Sequence, residues 1–321
     1  MILILSTRHD INTNGIIEWL RHFNAPFFRL NDEDILNGNV QISFNLSENS
    51  FIIRTSVKEF NIQDVKVVWF RKFGFLNSYE KFFNTFDKTS NLKSYSYAEF
   101  DKIRKLLFKL LENKKWLYFK KNMPSKIEVL MVAKKNGLKT PKTIIANNKS
   151  DVQNNFSDEE KIITKSLGEA IRINLLNSET PLLTQKFNLQ ELQHNKFFPS
   201  LFQEYIDKKI ELRIFYLEGN FYSMAMFTQG NIKTSIDFRN YDYDKPPRRV
   251  PFQLPKNIEK KLNNLMKELG LNTGSIDMIY TKKKEYYFLE VNPSGQFGMT
   301  SVPCNYPINQ EVAKFLINSL K

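Results

Sequence analysis

Cysteine, histidine, glycine and proline are all scarce in this sequence. The single cysteine, Cys304, excludes an internal disulfide and any metal site built on a cysteine cluster, and it fits a reducing compartment. The three histidines, His9, His22 and His194, are scattered without metal-ligand spacing, so each reads as a surface or packing residue. With 11 Gly and 12 Pro spread over 321 residues, collagen-like and low-complexity chains are ruled out. No apolar stretch approaches the roughly 18 residues needed to cross a bilayer, and the opening Met1–Asp10 segment lacks a basic start. The expected location is therefore the cytoplasm, with no membrane partner.

Acidic residues are in deficit. Lys and Arg number 47 against 34 Asp and Glu, a formal net charge of +13, which favours an acidic or polyanionic partner unless it reflects composition bias alone. No nucleic-acid motif is present and the aromatics are not interleaved with Arg as a base-stacking platform, so nucleic acid is not the expected partner. What the chain does have is 41% hydrophobic and 14% aromatic residues, enough for two or three packed units.

The pattern along the chain is that of an α/β protein. Ile2 to Leu5 reads as a buried strand, Thr13 to Phe23 as a helix carrying Ile16, Ile17, Trp19 and Leu20, and Phe27 to Leu30 as a second strand, which together begin a parallel sheet. Val65 to Arg71 reads as a further strand with Arg71 and Lys72 at its carboxyl edge. Tyr97 to Leu111 is a helix whose Lys102, Arg104, Lys105 and Lys109 form either a solvated face or a docking surface. Ser125 caps a helix bearing Ile127, Leu130, Met131 and Ala133 that stops at Gly137. Lys142 to Ala146 and Lys161 to Ser166 are strands around an Asn- and Asp-rich loop. Leu201 to Tyr205, Glu211 to Leu217 and Phe221 to Thr228 follow as strands, then a basic Pro-rich loop at 245–249, a helix from Lys256 to Leu269, and paired strands Ser275 to Tyr280 and Tyr286 to Val291.

The chemistry concentrates in that last pair. Asp277 precedes Glu290 by 13 residues and Asn292 lies two beyond Glu290, so a hairpin brings all three onto one face. Such a patch of oxygen donors suits a hard cation such as Mg²⁺. The alternative is an ordinary exposed hairpin, but Glu290 and Asn292 interrupt an apolar Phe-Leu-Glu-Val-Asn-Pro strand, where an uncompensated carboxylate is costly. Gly295, Gln296 and Gly298 follow as a turn, either plain or open to a substrate backbone.

Asp277 followed by Leu289-Glu-Val-Asn-Pro293 resembles the metal-binding end of the ATP-grasp superfamily, the ATP-dependent carboxylate–amine ligases. The resemblance implies ATP and Mg²⁺ as cofactors, with Asp277, Glu290 and Asn292 on the metal. It places one phosphate-neutralising lysine at Lys126, in Asn122-Met-Pro-Ser-Lys126 close to Lys120 and Lys121, and a second at Lys165, in Ile162-Ile-Thr-Lys-Ser-Leu-Gly168. Phe202-Gln-Glu-Tyr-Ile206 resembles the hinge that grips adenine through backbone groups, here Gln203, Glu204, Tyr205 and Ile206, with Glu204 accepting from the base. Glu211 and Arg213 match the next strand, the acid facing the ribose and the arginine the phosphates. The fold implied is α/β, α+β in the ATP-binding part: a Rossmann-like pre-ATP-grasp domain over 1–118, an ATP-grasp small lobe over 119–198 and a large lobe with the metal site over 199–321.

Within that superfamily, Ile2-Leu-Ile-Leu-Ser-Thr-Arg-His-Asp10, Val68-Trp-Phe-Arg-Lys72, Ser235-Ile-Asp-Phe-Arg239 and Asn292-Pro-Ser-Gly-Gln296 look like the graspetide (microviridin-type) synthetases, especially the peptide maturases of grasp-with-spasm systems. This implies an acidic ribosomal precursor peptide, leader and core, as partner. Its Asp or Glu side chains are activated as acyl phosphates and joined to Thr or Ser hydroxyls or Lys amines, and the likeness also leans towards a homodimer. Arg239 is the candidate donor to the oxyanion, with Arg248 and Arg249 behind it and with Arg213 and Lys165 as the cations offsetting phosphoryl charge. The competing expectation is an ATP-grasp ligase acting on a small molecule or amino acid, which shares every nucleotide and metal residue.

Overall fold

A computed structural model describes residues 1–74, 92–118, 124–168, 172–175, 178–181, 184–228 and 246–321. Arg239 and its Ser235–Arg239 segment lie outside the described residues, as do Lys120, Lys121, Asn122 and Met123. The chain packs as two compact units. One takes Met1–Lys121, Gln296–Gly298 and Pro307–Lys321, and the other takes Asn122–Gly295 and Met299–Tyr306.

The first unit is built on a parallel sheet. β1 (Ile2–Ser6), with all five residues buried, pairs on one side with β2 (Phe27–Asn31) and on the other with β6 (Val67–Phe70), which in turn pairs with β7 (Lys115–Leu117). The continuous apolar runs Ile-Leu-Ile-Leu and Val-Val-Trp-Phe suit strands covered on both faces. Helix α1 (Ile11–His22) makes the first crossover and buries Ile16, Ile17 and Leu20 at helical spacing. After β2 comes the short α2 (Asp32–Leu36), then an antiparallel sheet of β3 (Gln41–Asn45), β4 (Ser50–Arg54) and β5 (Glu59–Asn61) that the sequence reading did not anticipate. Its strands are short and half-exposed, with Phe51, Ile53 and Phe60 as their buried anchors. Helix α3 (Leu92–Leu111) leads to β7; its Arg104 and Lys105 are ion-paired to Asp101, and Lys109 to Glu112.

The strand order β2-β1-β6-β7 reverses direction at β1 and β6, and their carboxyl ends carry a buried ion pair. Arg71 grips Asp10 with Nε to Oδ2 at 3.0 Å and Nη2 to Oδ1 at 3.1 Å, and Thr13 donates to the same carboxylate at 2.5 Å. Gln296 also donates to it at 3.4 Å, and Asn12 binds Gln296, so residues 296–298 are tied to the head of α1. Burial pushes the Asp10 carboxyl up, but the Arg71 charge and hydrogen bonds, with Thr13 and Lys72, outweigh it and hold Asp10 below the usual range.

Asp32 goes the other way. It is fully buried at the start of α2, accepting the amides of Glu33 at 3.0 Å and Gly74 at 2.8 Å, and burial with Glu33 beside it pushes its carboxyl up to about 8. A native state that holds this proton more tightly than the unfolded chain is favoured below the ordinary carboxylate range and loses that advantage as pH rises towards about 8. The expected result is a fall in first-unit stability across that window of at most about 1.4 kcal/mol per pH unit. Trp19, Trp69 and Trp116 all lie in this unit, so denaturant unfolding followed by tryptophan fluorescence measures it. Asp32→Asn should flatten the slope; an unchanged slope would remove Asp32 from the account.

The second unit holds two larger antiparallel sheets. The four-stranded one has the order β12-β9-β13-β8, from β8 (Thr143–Asn148), β9 (Lys161–Lys165), β12 (Gln185–Asn188) and β13 (Lys196–Glu204). β10 (Arg172–Leu175) and β11 (Ser178–Pro181) form a separate hairpin. α4 (Lys126–Lys135) starts as expected at Ser125, whose hydroxyl accepts the Glu128 amide while Glu128 accepts the Ser125 amide, and the chain turns at Gly137 with φ +74°. The buried face of α4 is Val129, Leu130 and Ala133; Met131, expected among them, is 66% exposed.

Two segments expected as loops are regular in part. The Asn- and Asp-rich stretch after β8 contains α5 (Lys149–Asn155), whose cap is Asn148 accepting the Asp151 amide at 2.9 Å, because Asn-x-x-Asp is itself a helix start. Val152 and the following Phe156 then pack with Ile162 and Phe202 on one face of the four-stranded sheet. The second large sheet has the order β16-β15-β14-β17-β18, from β14 (Lys208–Leu217), β15 (Asn220–Phe227), β16 (Arg248–Pro251), β17 (Thr273–Thr281) and β18 (Tyr286–Asn292). Arg248 and Arg249 thus stand on an edge strand rather than in a basic loop, with Pro251 tolerated at the edge. α6 (Lys256–Glu268) buries Ile258, Leu262, Leu265 and Met266, and α7 (Gly298–Cys304) follows β18. The last helix, α8 (Ile308–Asn318), returns to the first unit and packs on α1, although the sequence reading runs residues 199–321 as one stretch.

Candidate functional site

Residues directly opposite one another in an antiparallel sheet point to the same face, so register alone assembles the site. Across the five-stranded sheet, Met224, Arg213, Asp277 and Glu290 stand in one row, and Met226, Glu211 and Ile279 in the row two residues away. Ser275 opposes Asn292 on the other side of that row. Glu211, Arg213, Asp277, Glu290 and Asn292 therefore share one face. Met224 and Met226 on that face are covered by Cys304, Met299 and Tyr306.

The charges are tightly held. Arg213 Nη1 donates to both Asp277 oxygens, at 2.7 and 2.5 Å, and both side chains are buried. Glu211 Oε1 accepts from Lys208 Nζ and, at 3.0 Å, from Thr228 Oγ1. Burial pushes Glu211 up against the pull of Lys208 and Thr228. Asn292 Oδ1 accepts the Ser294 amide at 3.0 Å, which uses one of its two lone pairs. Gly295 is buried against Ser275, and a Cβ there would fall 2.6 Å from the Ser275 Cβ, so the missing side chain serves this close approach within the fold.

Among the described residues, no group of three or more His, Cys, Asp or Glu side chains gathers as a metal site. The patch offers two carboxylates and an amide, a hard-oxygen set with Arg213 supplying one positive charge against Asp277 and Glu290. Mg²⁺, which takes few protein ligands and completes its shell with water and phosphate, fits that set.

The four-stranded sheet presents its other face, away from α5, through Lys161, Ile163, Lys165, Lys186, Gln203 and Tyr205. Lys126 Nζ donates to the Ser166 carbonyl at 3.4 Å, one residue beyond Lys165 at the end of β9. Gln203 is buried and donates to Thr143 Oγ1 at 2.9 Å. The hinge amides of Glu204 and Tyr205 donate to the carbonyls of Lys142 and Lys161, at 2.9 and 3.0 Å, and Glu204 Oε2 accepts the Lys142 amide at 3.2 Å. Beside them is a recess of about 420 Å³ lined by Glu159, Glu160, Lys161, Lys186, Glu204, Tyr205 and Asp207, with Lys186 Nζ 3.8 Å from the centre of the Tyr205 ring. Ile206 is buried behind the hinge.

Of the two edge arginines, Arg249 opposes Met226 and so shares the Glu211 face, whereas Arg248 opposes Phe227 and lies over its ring on the other face. Lys186, Lys208 and Thr228 escaped the sequence reading. Lys186 sits in a short strand with little apolar signal, and Lys208 lies three residues from Glu211, a spacing that on a regular strand separates the two faces.

No family model matches the sequence, and no curated protein matches it. Solved structures do. The macrocyclase MdnC of Microcystis aeruginosa MRC, bound with precursor peptide MdnA, is 27% identical over 99% of this chain and 100% of its own, with a TM-score of 0.84. A RiPP-associated ATP-grasp ligase of Chryseobacterium gregarium, in complex with ADP and a leader and core peptide, is 24% identical over 99% and 96%, also with a TM-score of 0.84. The ATP-grasp ligase PsnB, complexed with a minimal precursor, Mg and ADP, is 15% identical over 100% and 97%, with a TM-score of 0.78. The α/β fold expected from the sequence is the fold these ligases share.

Proposed function

We propose that this chain, an ATP-grasp ligase of the graspetide-synthetase type, closes rings in a ribosomally made precursor peptide. The observation that carries the reading is the shared face of Glu211, Arg213, Asp277, Glu290 and Asn292, within a fold matched end to end by a peptide macrocyclase.

In the first step an Asp or Glu carboxylate oxygen of the peptide attacks the γ-phosphorus of ATP; the bond to the bridging oxygen breaks and ADP leaves. In the second a Thr or Ser hydroxyl, or a Lys amine, attacks the acyl carbon, phosphate departs and the nucleophile's proton passes to phosphate or solvent. Each bond formed removes one water from the peptide. Bound Mg²⁺ would supply charge neutralisation at the phosphates, held by Asp277, Glu290 and Asn292. Lys126 and Lys165 bind phosphate from the end of β9, the Gln203–Ile206 hinge and its recess take the base, and Glu211 faces the ribose. Arg213, fixed by Asp277, offsets the charge that builds on the transferring group. Arg239 is the proposed oxyanion donor, and of the two arginines behind it Arg249 is preferred, because it shares the Glu211 face and Arg248 does not.

An acidic core and leader match the +13 charge of the chain; Arg71, expected as docking surface, is buried against Asp10, which leaves Lys72 and α3 as the candidate docking surface. A homodimer and a cytoplasmic location belong to the same proposal; among the described residues no helix is long and apolar enough to cross a membrane. Incubation with ATP, Mg²⁺ and an Asp/Glu- and Thr/Ser/Lys-rich precursor, read by mass spectrometry, tests it. Loss of one water per bond supports peptide cyclisation, whereas inert peptides together with ligation of free amino acids would favour the small-molecule alternative. Lys165→Ala should raise the KM for ATP on the order of 10- to 100-fold, the worth of a charge-assisted phosphate contact. An unchanged KM would take β9 out of the nucleotide site.

A further inference from the structure

We propose that Lys208 is a positioning residue of the nucleotide site, seated by a bulge in β14 so that it aims the Glu211 carboxylate at the ribose hydroxyls. The proposal rests on the reading of Glu211 as the ribose acid.

The argument starts from parity. Residues 208 and 211 are three apart, and on an unbroken strand they would face opposite sides of the sheet. Here Lys208 pairs with Thr281 and Ile210 already with Tyr280, so Lys209 is an extra residue against β17. Because Glu211 pairs with Ile279, two residues from Thr281, the bulge turns Lys208 onto the Glu211 face. Its ammonium reaches Glu211 Oε1, with Lys208 3% and Glu211 7% exposed.

Burying a lysine this deeply carries a desolvation cost, and a buried ion pair is weak as a stabilising device compared with apolar side chains of the same volume. Aim is the better account. Among the described residues the donors to Glu211, Lys208 and Thr228, both fall on Oε1, which grips the carboxylate from one side and leaves Oε2 to meet a ligand. A carboxylate so oriented can accept from the vicinal hydroxyls of a ribose without paying to find its rotamer on binding.

Calorimetric titration of the full chain with Mg·ADP and with Mg·2′,3′-dideoxy-ADP tests this. The parent should prefer ADP on the order of tenfold or more. Lys208→Met should bring ADP down to the dideoxy level while leaving dideoxy affinity in place, and Glu211→Gln should do the same. Thr228→Val, which removes the uncharged donor and keeps the strand, should give a smaller loss in the same direction and serves if Lys208→Met does not fold. Equal loss for both nucleotides in Lys208→Met, or full discrimination retained in Thr228→Val when Lys208→Met cannot be made, overturns the positioning role. A parent that does not distinguish the two nucleotides overturns the Glu211 reading itself, and the proposal with it.

Discussion

Glu290→Gln is expected to reduce peptide ligation by about 10³-fold or more while leaving unfolding of the chain close to that of the parent. The substitution keeps shape and one oxygen but removes a negative charge opposite Asp277, where a cation must be held against the triphosphate. Glu290 is half-buried and adds no apolar packing, so its loss falls on the transition state and not on the core. Asn292→Ala should act in the same direction, since Asn292 shares the face and half of its oxygen's accepting capacity is already used by Ser294. The check is kcat for ring formation beside a thermal unfolding curve. Turnover within tenfold of the parent in both variants would empty the metal assignment of content.

The second large effect is structural. Asp10→Asn should cost the first unit about 3–5 kcal/mol, the usual result of removing one charge from a buried ion pair. Arg71 is 2% exposed and lies between the rings of Trp69 and Phe297, so it cannot turn to water, and Lys72, 3.9 Å from Asp10, would be left facing it. The native Asp10 carboxyl is held low, so its contribution is present above the ordinary carboxylate range and fades as pH falls through the native value. Tryptophan-monitored urea unfolding should therefore show the parent and Asp10→Asn converging in acid. A variant within 1 kcal/mol of the parent at neutral pH would mean that the pair is incidental.

Much of this was legible in the sequence wherever one period dominated. Ile2–Leu5, the α1 spacing of Ile16, Ile17 and Leu20, and the alternation that puts Glu290 and Asn292 on one side of β18 all follow from which neighbours a side chain can reach. The phosphate roles of Lys126 and Lys165 came from family likeness rather than from any local rule, and the contact of Lys126 with the Ser166 carbonyl is visible only in the fold. What stayed hidden was set by tertiary context. The bulge at Lys209 inverts the parity on which a strand reading depends, β3 to β5 are too short and half-exposed to announce themselves, and α8 joins α1 across nearly the whole chain. Of the basic loop expected over 245–249, Pro246 and Pro247 have no regular structure, while Arg248 and Arg249 already belong to β16, whose pairing partner β15 no local signal announces.

Crystals grown with a non-hydrolysable ATP analogue and Mn²⁺ in place of Mg²⁺ would locate the divalent ions by anomalous scattering. Manganese peaks within about 2.3 Å of the Asp277, Glu290 and Asn292 side-chain oxygens, and touching phosphate, are the predicted result. Well-ordered nucleotide whose metal ions sit away from all three side chains would contradict it.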